Sequence, residues 1–120
     1  MPQSPVPVPQ IISASAIGVG APLTISGTTH TLGSGDLARY LRCTSGSATT
    51  ITIPADATVN LPIGCGIPIE QAGAGQVTVA AAGGVTLNSA GGLVASAAQY
   101  SVIQLMKVAA NTWTLVGDRA

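Results

Sequence analysis

Residues 69–92 read IEQAGAGQVTVAAAGGVTLNSAGG, and the reading of these glycines decides the fold. As a phosphate cradle the stretch fails on chemistry. GAGQV has neither the lysine nor the hydroxyl of a P-loop, and AAAGGV lacks GxGxxG spacing ahead of a helix. As a structureless linker it fails on pattern. QVTVA at 76–80 and VTLN at 85–88 alternate apolar and polar residues, as half-buried strands do. The glycines then become connections. Gly73 and Gly75 permit positive φ between strands, and Gly83-Gly84 signals a tight hairpin turn. The stretch reads as strands and turns.

Working outward, the same pattern continues in both directions. LTISGTTHTL, from residue 23, alternates around a turn at Ser26-Gly27, and LGSGDL at 32–37 makes another turn. In LARYLRCT at 37–44, Leu41 and Cys43 share one face while Tyr40 and Arg42 share the other. ATTITI at 48–53 places Ile51 and Ile53 together and stops at Pro54, which has no N–H to give a ladder. LPIGCGIPIEQ is broken by Pro62, Gly64, Gly66 and Pro68 into short extended pieces. SVIQLMKV at 101–108 and TWTLVG at 112–117 flank AAN and predict a terminal hairpin. VASAAQY at 94–100 is the best helix candidate, but it is short and poorly capped. Closely spaced strands parted by Gly, Pro, Asn and Asp predict an all-β fold, a small antiparallel β-barrel or sandwich. A β-helix is the weaker expectation, because its mark would be a fixed period.

Proline at positions 2, 5, 7 and 9 sets residues 1–22 apart as an extended N-terminal arm, leaving 23–120 as the β-domain. A pre-stiffened arm lowers the ordering cost of lying across a partner. Its contact candidates are Pro5, Val6, Pro7, Val8, Pro9, Ile11 and Ile12.

Composition narrows the function classes. The chain has 120 residues, no Phe, one Trp and two Tyr, so its core is short of bulk and oligomerisation is expected. Only 7 % of residues are charged, four basic against four acidic. That balance gives no field to attract a phosphate backbone, so direct nucleic-acid binding is not expected. The start, MPQSPVPVPQ, has no basic and hydrophobic leader pattern, and no apolar run is long enough for a bilayer. A chain made in the cytoplasm and kept off membranes is expected.

Cys43 and Cys65 lack CxxC spacing and read as free, buried thiols. Asp36, Asp56, Glu70 and Asp118 are scattered, offering no carboxylate pair for acid/base work. No GxSxG elbow accompanies His30. No catalytic, metal or cofactor site and no small-molecule substrate is expected, and the chain reads as no enzyme. Glu70, in a strand-like segment, is expected to pair with Arg39 or Arg42, or to satisfy backbone donors within a subunit interface. Those three residues and Trp113 are the candidates for a subunit interface. Trp113 falls on one face with Leu115, as a core or subunit-contact residue.

ARYLRCTSGSATTITIP, IEQAGAGQVTVAAAGGVTLNSAGG and AQYSVIQLMKVAANTWTLVGD together resemble a β-rich module of tailed-bacteriophage structural proteins, found near the ends of tail-fibre or tail-associated proteins and as separate virion components. The resemblance spans about residues 23–118 and carries no catalytic motif. Cys65-Gly66 and the prolines beside it depart from the regular strand expected there. The resemblance implies a β-rich, trimeric virion protein. A small domain with a short arm, and no fibre shaft, is similar to capsid decoration, or cement, proteins. The expectation is therefore a homotrimer on the outer capsid surface that binds the major capsid protein and stabilises the shell. The alternative is a tail or tail-fibre component with a host-receptor or adaptor role.

Overall fold

The structure, a computed structural model, describes residues 20–120. The arm candidates Pro5, Val6, Pro7, Val8, Pro9, Ile11 and Ile12 lie outside the described residues.

Among the described residues nine strands are formed: β1 (Leu23–Ile25), β2 (Thr29–Thr31), β3 (Leu41–Cys43), β4 (Thr49–Ile53), β5 (Gly66–Gln71), β6 (Val77–Ala81), β7 (Thr86–Ser89), β8 (Val102–Ala109) and β9 (Thr112–Gly117). Single 3-10 turns at Ser34–Asp36 and Ala90–Gly92 are the only helix among the described residues. The strands form two sheets, ordered β1-β3-β5-β8-β9-β7 and β2-β4-β6. From β1 to β6 the chain passes alternately between them, and each strand pairs in parallel with the one two places on. This is a winding of the β-solenoid kind. β7 also pairs in parallel, with β9, and only the β5–β8 and β8–β9 pairs are antiparallel.

The antiparallel barrel or sandwich expected from the sequence is therefore corrected. Among the described residues there are two sheets and little helix, but the strands are largely parallel and no barrel closes. Alternation reveals which face a residue takes and says nothing about which strand lies beside it. The coils also hide from a search for repeats, because they differ in length. Leu23 lies beside Leu41, 18 positions on, while Leu41 lies beside Ile69, 28 on. Longer connections absorb the difference, and the stacking register survives.

Glycine roles change accordingly. Neither Gly73 nor Gly75 has positive φ. A β-carbon on Gly73 would meet the carbonyl oxygen of Ser45, and one on Gly75 that of Ser47. GAG is there so that one coil's connection can press its backbone on the SGS connection of the coil before, where Gly75 N–H donates to Ser45 O at 3.0 Å. Gly84 does take positive φ (85°), in a turn closed by Val85 N–H to Ala82 O at 3.0 Å. That turn joins β6 and β7, which lie in different sheets, so it is a corner and not a hairpin.

The terminal hairpin is present as expected, with Asn111 at its tip in the left-handed region (φ 49°). The segment expected to break at Pro68 is instead a continuous strand. Gln71 N–H donates toward β8, to Ser101 O, so by alternation the Pro68 nitrogen faces the β3 side. Pairing with β3 begins only at Ile69, so the missing N–H removes no ladder bond there.

The core lies between the sheets. Leu41, Cys43, Ile67, Ile69, Ile103, Leu105, Trp113 and Leu115 come from the larger sheet; Ile51, Ile53, Val77 and Val79 come from the smaller. Burying each such side chain stabilises by about 1.5–3 kcal/mol. The outer face of the smaller sheet bears Thr29, Thr31, Thr50, Thr52 and Thr78 and carries no charge.

Candidate functional site

The most demanding chemistry in the fold gathers where the 54–65 connection passes beneath the terminal hairpin. On β8 the residues facing inward are Ile103, Leu105 and Lys107. The third is a lysine 1 % exposed, at a position where the row calls for an apolar side chain. Its Nζ donates to Asp56 Oδ1 at 2.8 Å, Asn60 Oδ1 at 3.0 Å and Leu61 O at 2.6 Å. Three protons meet three acceptors, which satisfies an ammonium without water.

Asp56 is held from a second direction. Its Oδ2 accepts from Asn111 N–H at 3.0 Å, and its own N–H donates to Asn111 Oδ1 at 2.8 Å. The hairpin tip and the 54–65 connection are thus tied through Asp56. The Lys107 hydrogen bond, aided by that backbone N–H, holds the Asp56 carboxyl below its ordinary 3.8. Cys65 lies beside the lysine, its carbonyl accepting from Lys107 N–H at 3.0 Å. Burial pushes its thiol up.

Of the interface candidates, the structure brings two together. Arg42 Nε donates to Glu70 Oε1 at 2.9 Å across neighbouring strands on the outer face of the larger sheet. The Glu70 hydrogen bond pushes the Arg42 guanidinium up, while desolvation, followed by the Glu70 charge, raises the Tyr40 phenol. Arg39 stands apart, donating to Ala21 O at 2.9 Å. Trp113 is 1 % exposed and takes the core position of its two readings, with its Nε1 lacking a partner.

The remaining charges are also held internally. His30 Nε2 lies 3.0 Å from both Asp36 carboxylate oxygens, and Asp36 accepts Gly33 N–H at 2.8 Å. Ser101 Oγ donates to Asp118 at 2.6 Å, and Arg119 donates to Ser89 Oγ at 2.5 Å. Cys43 and Cys65 are both free, as expected, though Cys65 is only half-buried. Burial alone pushes the Cys43 thiol up to about 11.

A second buried polar cluster serves the fold. Ser96 Oγ donates to Gln71 Oε1 at 2.5 Å and accepts Val77 N–H at 2.9 Å. Gln71 Nε2 reaches Gly73 O at 3.2 Å, bracing the GAG connection.

Sequence reasoning missed the lysine cluster. The signal was present in SVIQLMKV, whose alternation puts Lys107 in phase with Ile103 and Leu105. Among the described residues, no three His, Cys, Asp or Glu side chains converge as a metal site requires, and no helix is long and apolar enough to cross a membrane. No family model matches this chain, and no characterised protein or solved structure matches it either.

Proposed function

We propose that the chain is a bacteriophage virion structural protein, a capsid decoration (cement) protein that binds the outer shell as a homotrimer. The observation that carries this reading is the fate of its charge. All four acids and all four basic side chains have a partner within the chain. Beside the part-exposed Arg39, Arg42, Asp118 and Arg119, what faces outward is hydroxyl, backbone and scattered apolar surface, including Val102, Val108, Val116, Ile63 and Tyr100. Such a surface suits many shallow contacts repeated over linked subunits, where avidity replaces any single strong site.

The mechanism is mechanical, not catalytic. β1 is an edge of the larger sheet and β2 an edge of the smaller, both at the start of the winding. Residues 1–12 precede that end. An extended segment there can add backbone bonds to a neighbouring sheet edge, which tolerates a bland sequence. Arg42 and Glu70 lie on the outer face through which a trimer would close.

The test is deletion of residues 1–12, followed by incubation with undecorated capsids. The truncated protein should keep its oligomeric state in sedimentation and lose shell binding. Decoration at full occupancy by the truncated chain would sink the arm's role. Copy number in purified particles decides the location: copies matching the shell lattice support the capsid reading, and a few copies at one vertex support the tail component.

A further inference from the structure

We propose that Lys107 and Asn60 join in a self-formed isopeptide bond, with Asp56 moving the protons. The site holds the three groups this chemistry needs: one amine, one carboxamide and one carboxylate. Asn60 Oδ1 is 3.0 Å from Nζ, which places its carbonyl carbon within ~4.2 Å of the nitrogen, one C=O bond further at most. Asp56 Oδ1 is 2.8 Å from the same nitrogen. The Asn111 backbone N–H fixes the other carboxylate oxygen, so Oδ1 stays aimed at the amine.

The steps balance without any further reagent. A proton passes from Lys107 Nζ to Asp56 Oδ1, freeing the lone pair. Nζ attacks Asn60 Cγ, forming the C–N bond and moving the carbonyl electrons onto Oδ1. A second proton leaves Nζ by way of Asp56 for Asn60 Nδ2. The Cγ–Nδ2 bond breaks, the carbonyl re-forms and ammonia departs. The proton left on Asp56 goes to solvent or to that ammonia. Asp56 is 19 % exposed at its side chain and Asn60 is exposed, which opens a way out for both.

Two features argue that the lysine is more than packing. Apolar replacement of a buried ion pair is often neutral or stabilising, so stability alone does not call for a charge in phase with Ile103 and Leu105. Trp113, directly opposite Lys107 across the hairpin, shares its inner face and is itself buried. An amine walled in this way is kept near its partner and away from bulk water, the proximity that makes a slow bimolecular step unimolecular. The product ties the 54–65 connection to β8, adding a covalent link that a shell protein under load can use.

The decisive measurement is the intact mass of the folded full-length chain after ageing, followed by peptide mapping. The expected result is a chain lighter by one ammonia, with a branched peptide joining the segments around Asn60 and Lys107. Asp56→Ala should retain the full mass, and Lys107→Arg should too. A wild-type chain of full mass, or one lighter by ammonia with no branched peptide, overturns the proposal. Loss of one water with a branch to Asp56 would overturn the Asn60 assignment. The wild-type measurement decides even where a variant fails to fold.

Discussion

The coil region, β1 to β6, and the terminal hairpin, β8 and β9, solve the same burial problem by different means. The hairpin uses strands of eight and six residues, an alternating pattern interrupted by a register shift between Lys107 and Ala109, and the chain's single Trp. The coils use strands of three to six residues that bury Leu41, Ile51, Ile53, Ile67 and Ile69, with connections whose backbones press together at glycine. In the hairpin a two-residue tip and the packing of Trp113 hold the partners together. In the coils the partners lie far apart in sequence, and close backbone approach at the connections helps hold them, because a bland strand specifies its neighbour weakly.

The largest effect should come from breaking the backbone contact that only the coils use. Gly75→Val puts a branched side chain onto the Ser47 carbonyl, and no rotamer avoids the β-carbon itself. The stack must separate at that connection, at a cost of about 5 kcal/mol or more, which leaves a domain of this size little or no folded population. Far-ultraviolet circular dichroism and a urea melt check this. A two-state melt near wild type would show that the coils do not depend on close backbone approach.

The matching change in the hairpin is Trp113→Ala, expected to cost about 3–5 kcal/mol by cavity formation. Trp113→Phe should cost much less, because it also deletes the unpartnered Nε1 donor in the core. Urea midpoints of the two variants measure the difference. Equal losses would mean that ring volume does not matter at this position.

The same contrast explains what could be read in advance. The hairpin was legible because its two strands are joined by a two-residue tip, so that partner and pattern lie side by side in the sequence. The 3.0 Å bond between the Gly75 and Ser45 backbones joins residues in different coils, and nothing in GAG names SGS as its partner. Glu70 was legible as a paired charge, and Arg42 proved to be its partner over Arg39 because β3 and β5 lie in register. Lys107 was passed over because a lysine is normally a surface residue, and only its phase on β8 betrays it.

A smaller, pH-dependent effect belongs to the coils. Cys43 has its thiol raised from 9.0 to about 11 by burial, so the unfolded chain ionises first as pH rises. The folded state then binds more protons, and stability falls through the window from 9.0 to about 11, by at most about 1.4 kcal/mol per pH unit. Denaturation at pH 8 and pH 10.5 should show that loss in the wild type and a flatter alkaline limb in Cys43→Ala. An equal slope in both would place the alkaline sensitivity elsewhere.

The smallest effect is expected at the pair that links two coils on the outside. Arg42 is 43 % exposed at its side chain and Glu70 15 %, and exposed ion pairs contribute little after screening and side-chain ordering. In dilute solution Arg42→Ala, Glu70→Ala and the double variant should melt close to wild type, with a double-mutant cycle showing weak coupling that salt removes. The comparison sharpens with concentration. If this face closes a trimer, association takes the pair out of water, and an uncompensated partner left behind becomes costly. The single variants should then weaken assembly in sedimentation more than they lower the melting midpoint of the dilute chain, with Glu70→Ala and Arg42→Ala partly rescued by the double variant. Unchanged assembly in all three would remove Arg42 and Glu70 from the interface and leave them as a strand-to-strand tie within one chain.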